Sequence, residues 1–215
     1  ITPEGINHLF KTLAAMKVGT SQQAQQRIQQ LSTVQQASKA KTFEEFITSA
    51  IKTLVPEMAL GATPEAAMAG YASALDISAT GDVAAEHRKQ LRDLLQRPQV
   101  IKAVARMNGI SARAFESLPM DQRMAMLTGW VAKTSESGLR RAQVRVEAIG
   151  NIRTIATAGQ IARERMFRDL ASGATAAGFA AESAGYARTG MGQAEAIESM
   201  VTLAGAAGTI EDRMG

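Results

Sequence analysis

The chain has no cysteine. Disulfides, thiolate nucleophiles and cysteine-based zinc sites are therefore excluded, and the composition fits a reducing compartment. Aromatic residues are only 4% of the 215. With β-branched runs also nearly absent, an extensive sheet is disfavoured. Histidine occurs twice, at His8 and His87, in neither an H-E-x-x-H nor an H-x-H arrangement, so no two-histidine metal site is legible. No apolar run reaches the roughly 18 residues of a membrane span. Proline is missing after Pro119.

What is present is helix-forming. Apolar residues make up 46% and are carried by Ala, Leu, Ile, Val and Met, which favours helices over strands. Small side chains bury little area each, so a shallow, moderately stable core is expected. The formal charge of +4 permits contact with nucleic acid or an acidic surface without demanding it. The chain opens on Ile1 and stops at Gly215 without a clear terminal cap, as expected of a fragment or processed piece of a longer protein.

The five prolines, Pro3, Pro56, Pro64, Pro98 and Pro119, each interrupt a helical pattern or stand near a helix start. A first amphipathic helix is expected over Thr2 to Met16, with Leu9, Leu13 and Met16 on one face. The Gln-rich segment from Ser21 to Lys39 has Ile28, Leu31 and Val34 as its only large apolar residues and predicts a poorly buried helix. Thr42 and Glu45 form a capping box ahead of the strongest core stripe: Phe43, Phe46, Ile47, Ala50, Ile51 and Leu54. Pro56 should end or kink that helix. Thr63-Pro64-Glu65 starts another, striped by Ala67, Met68, Tyr71, Ala72 and Leu75. Asp82 is expected to cap a helix reaching Gln96, and Pro98 to start the next.

The pattern lengthens after Glu136. Leu139, Ala142, Val146, Ile149 and Ile152 step by three and four, and Arg140, Arg141, Arg145 and Arg153 flank them. That spacing predicts a long helix whose seam packs on a partner helix or on itself in an oligomer. From Ala171 to Gly208 the chain is rich in Ala and Gly, which loosens helices while allowing close approach. The expected fold class is all-α. A bundle of short capped helices precedes long Ala/Gly-rich helices with a candidate coiled-coil seam. Three segments are expected: 1–41 with the Gln-rich stretch, 42–119 as a compact helical region, and 120–215 as the long-helix region.

No catalytic constellation appears. The P-loop pattern and the G-x-S-x-G elbow are both absent, and acid pairs such as Glu44/Glu45 stand at a helix start, where the dipole accounts for them. A structural or binding role is expected, with no cofactor, metal or small-molecule substrate. One local pattern, Ala105 to Leu118, resembles a helix-turn-helix. A turn at Gly109 is followed by Ile110 and a Ser111 cap. In that reading Ser111, Arg113 and Glu116 would face a major groove, and the chain would be a DNA-binding regulator. A helical domain that engages host protein or membrane is a third reading.

A wider pattern carries a family resemblance. Leu60-Gly61-Ala62-Thr63-Pro64-Glu65-Ala66-Ala67-Met68-Ala69-Gly70-Tyr71 is a Gly-preceded, acid-bearing helix start running into a small-residue helix. Ala79-Thr80-Gly81, Leu94-Leu95-Gln96-Arg97-Pro98, Gly109-Ile110-Ser111 and Leu118-Pro119 follow in order. The stretch from about residue 60 to 170 resembles the helical region of phage tail tape measure proteins. The resemblance implies a mostly helical, non-enzymatic protein that lies inside the tail tube or tail tip of the virion, sets tail length and leaves ahead of the DNA. It further implies a homo-oligomer, with tail tube, tail tip and assembly chaperone proteins as partners. The host membrane would be contacted during ejection, and the host cytoplasm would be the place of assembly.

Overall fold

The computed structural model describes residues 1–173, and the Ala/Gly-rich stretch beyond Gly173 lies outside them. The described residues are all-α, with eleven α-helices, one short 3-10 turn and no strand. Helices α1 (Pro3–Ala15), α2 (Ser21–Ala37), α3 (Phe43–Ala59) and α4 (Pro64–Ile77) each begin on a threonine cap. Thr2, Thr20, Thr42 and Thr63 accept from the amides of Gly5, Gln23, Glu45 and Ala66, meeting donors that the first helical turn leaves unpaired. The Thr42 box closes one residue early: Glu45 takes the Lys41 amide at 3.0 Å instead of that of Thr42. Pro56 does not end α3, which runs on to Ala59.

Helix α5 (Gly81–Asp93) is capped by Thr80 rather than Asp82 and tightens into a 3-10 turn over Leu94–Gln96. Then come α6 (Pro98–Met107), α7 (Ala112–Ser117), α8 (Met120–Lys133), α9 (Glu136–Arg141), α10 (Val146–Ile155) and α11 (Ala158–Gly173). The expected long helix after Glu136 is therefore corrected to three helices. Gln143 adopts a left-handed φ of 61°, and the Val144 amide folds back on the Leu139 carbonyl at 3.0 Å, which turns the chain as a helix C-terminal motif does.

Helix α4 is the centre of the molecule. Every residue from Ala66 to Leu75 is buried, as expected of a helix apolar on all sides. Helices α3, α5 and α11 pack around it. Its small residues let them approach closely. The Gln-rich α2 is not poorly buried as its composition suggests. Ala24, Ile28, Gln30, Leu31 and Val34 are all inside, covered by α11 and α4. One contiguous core runs from Leu9 to Ala171, so the expected segment boundaries at 41 and 119 are not gaps in packing.

Candidate functional site

The α3, α5 and α11 helices each send an ionisable side chain to the same buried point. On α3 the core stripe of Ala50 and Leu54 continues to Glu57; on α5 that of Ala84 and Leu91 includes Arg88. Glu164 stands on α11 one turn before the buried Phe167. Arg88 Nε and Nη2 donate to the two carboxylate oxygens of Glu57 at 3.1 and 2.8 Å. Arg88 Nη1 donates to Glu164 at 3.3 Å, and Arg168 Nη2 reaches the other Glu164 oxygen at 3.4 Å. The side chains of Arg88 and Glu57 are only 4% and 2% exposed.

The guanidinium fits because α4 has no side chain opposite it. A β-carbon on Gly70 would stand 2.2 Å from Arg88 Nη2. Burial works against the Arg88 charge, but the carboxylates of Glu57 and Glu164 outweigh it and raise the pKa. Burial is the larger influence on Glu57 and pushes its carboxyl up against the pull of Arg88. Glu57 is thus the group through which the pair would discharge. Desolvating two ions offsets most of their attraction, so such a cluster specifies a geometry more than it adds stability. The Arg88–Glu57 pair is closed off from solvent, Glu164 lies at its 18% exposed edge, and together they can hold three helices in register.

Two polar ties join α11 to α4 beside the cluster. Ser73 Oγ donates to the Gln160 side chain at 2.9 Å, and Arg163 pairs with Asp76. At the α3–α4–α5 junction the buried Tyr71 ring meets Phe46 edge-on at 5.3 Å and its hydroxyl bonds Ser49. Burial pushes the Tyr71 phenol up to about 12. Among the described residues no group of three His, Asp or Glu side chains converges as a metal site. His8 and His87 are half-buried on α1 and α5.

The sequence-predicted residues fall elsewhere. Ser111 caps α7 by accepting from the Ala114 amide at 3.1 Å. Gly109 supplies the turn with φ +68°, and Phe115 anchors α7 in the core. Ser111, Arg113 and Glu116 are exposed, but α7 has six residues, about 9 Å of helix. Of the seam, Leu139, Ala142, Ile149 and Ile152 are buried in the chain's own core, while Val146 is 58% exposed. They belong to two helices and the turn between them, so they form no continuous stripe.

No protein-family model, curated protein or solved structure matches the chain.

Sequence reasoning missed the ionic cluster. Glu57, Arg88 and Glu164 each lie three residues from an apolar core position of their own helix, Leu54, Leu91 and Phe167. A charged residue on an apolar stripe is the signal that points to a buried pair.

Proposed function

We propose that the chain is a structural, non-catalytic module of a phage tail tape measure protein, acting in the virion and assembled in the host cytoplasm with tube, tip and chaperone proteins. The supporting observation is where the family-like motifs lie. The run Gly61 to Ala72 becomes the cap and body of the buried α4. Ala79-Thr80-Gly81 starts α5, Pro98 starts α6, and Gly109-Ile110-Ser111 makes the α6–α7 turn. Residues that carry the resemblance are thus those that define the fold.

Assembly through Leu139, Ala142, Val146, Ile149 and Ile152 as one coiled coil is no longer part of this reading, because four of them face the chain's own core. The test is an in-frame deletion of codons 1–173 in the parent gene, with tail length read by electron microscopy and tail proteins by mass spectrometry. As one continuous helix, the 173 described residues would span ~260 Å. Shortened tails within that span support the reading. Tails of unchanged length overturn the length-setting role, and absence of the chain's peptides from purified virions overturns the assignment altogether.

A further inference from the structure

The described half from Arg97 to Gly173 is strongly basic, whereas residues 1–96 are balanced. Residues 1–96 carry nine Lys and Arg against nine Asp and Glu, and residues 97–173 carry thirteen against six, a net of +7. Much of this excess gathers where α8, α9 and α10 join. Arg97 Nη1 donates to the Gln143 carbonyl at 2.6 Å, which brings it to the α9–α10 turn between Arg141 and Arg145. Arg153 Nη2 donates to the Thr134 carbonyl at 2.9 Å, which brings it beside Lys133. Arg140 is paired with Glu136. Lys133, Arg141 and Arg145 are exposed and have no carboxylate partner among the described residues. The two carbonyl bonds fix Arg97 and Arg153 without cancelling their charge. Five cations that form no ion pair among the described residues thus surround α9, whose six residues are about 9 Å long, with Glu147 the carboxylate nearest in sequence to Arg145.

We propose that this elbow binds the phosphate backbone of duplex DNA without sequence preference. Four of the five cations are arginines, whose planar fork matches phosphate oxygens. Trp130, the nearest aromatic in sequence to this elbow, is 5% exposed, so it offers bases no ring to stack on and a duplex fits better than a single strand. Among the described residues Val146 is the one large apolar residue exposed at the elbow, which is too little to anchor a membrane surface or to form the apolar centre of a protein interface. The site is separate from Ser111, Arg113 and Glu116, and the proposal does not depend on the tape measure reading.

The experiment titrates the full chain against a random 30-base-pair duplex by fluorescence anisotropy at 50 to 200 mM salt. Five phosphate contacts give a log–log salt slope of about −4.5, a loss of roughly 500-fold over that range. The triple variant Lys133→Gln, Arg141→Gln, Arg145→Gln keeps its circular dichroism and unfolding midpoint, because those side chains are exposed and unpaired. Its slope falls to about −1.8, a loss of roughly 12-fold. The matching triple variant Lys102→Gln, Arg106→Gln, Arg113→Gln keeps the slope of the unaltered chain. No binding at 50 mM salt overturns the proposal. So does an unchanged slope in the elbow variant, loss of binding in the α6–α7 variant, or stronger competition by phosphatidylserine vesicles than by unlabelled duplex.

Discussion

A methyl group at position 70 would stand 2.2 Å from Arg88 Nη2, and Arg88 cannot retreat without abandoning Glu57. Breaking a buried pair costs about 3–5 kcal/mol, while alanine in place of a helical glycine returns about 1. Gly70→Ala should therefore lose about 2–4 kcal/mol in urea denaturation. Gly129 in α8 has no neighbour within 4 Å of such a methyl, and Gly129→Ala should gain up to about 1 kcal/mol. Equal effects at the two sites would mean that the guanidinium does not fill the notch. Glu57 adds a pH signature. Its folded pKa is raised above the 4.5 of an unfolded carboxyl, so the native state binds the proton more tightly. Its contribution is full below pH 4.5 and is lost as pH rises through the folded value. Unfolding free energies measured from pH 4 to 7 should thus fall more steeply for the unaltered chain than for Glu57→Gln; parallel curves would refute the raised pKa. At this scale the caps Thr42, Thr63 and Ser111 were legible in the sequence, since a cap acts within one turn, whereas Thr80 takes the place expected for Asp82. The ionic cluster was not legible, because Glu164 lies 76 residues from Arg88 and the run Glu86 to Arg92 looks like a solvated face.

Helix α9 and helix α10 show why a correct period can give a wrong element. Leu139, Ala142, Ile149 and Ile152 are buried as their spacing predicts, but the spacing survives a chain reversal that lies between them. Gln143 is left-handed, a conformation uncommon for any residue but glycine, and nothing in its side chain announces it. Val146, in step with the other four, is exposed. Ile152→Ala should therefore cost about 2–5 kcal/mol, and Val146→Lys should stay within about 0.5 kcal/mol. A comparable loss at Val146, with a concentration-dependent melting temperature, would restore the oligomeric seam. Helix α2 fails in the opposite direction. Its glutamines mask a face of Ala24, Ile28, Leu31 and Val34 that is fully inside, because a narrow stripe is enough when α4 and α11 cover it.

At the scale of the whole molecule, the described fold is closed by its last helix. The last described helix, α11, lies on α4 and α2, so no cut in the middle leaves either part with a finished core. Calorimetry should show one transition for residues 1–173, and the piece 1–119 should lack near-ultraviolet dichroism and bind a hydrophobic dye. A cooperatively melting 1–119 would instead support a boundary at 119, where the expected compact region 42–119 ends. All-α architecture was legible from composition and periodicity alone. Its packing order was not, because α4 meets α11 through contacts across more than eighty residues, as in the Ser73–Gln160 bond, and local pattern holds no record of them.

The closing contact of the buried cluster also sets a clock. Arg88 leaves the ribosome 76 residues before Glu164, a wait of roughly 4–15 s at ordinary synthesis rates. Throughout that interval the nascent chain carries a half-neutralised guanidinium and an uncovered α4, both open to proteases and to chaperones. Stalled nascent chains ending at residue 157 should be cut rapidly in pulse proteolysis. Chains in which residue 173 has cleared the exit tunnel should resist. Maturation of this protein would then be timed by the last of its described helices.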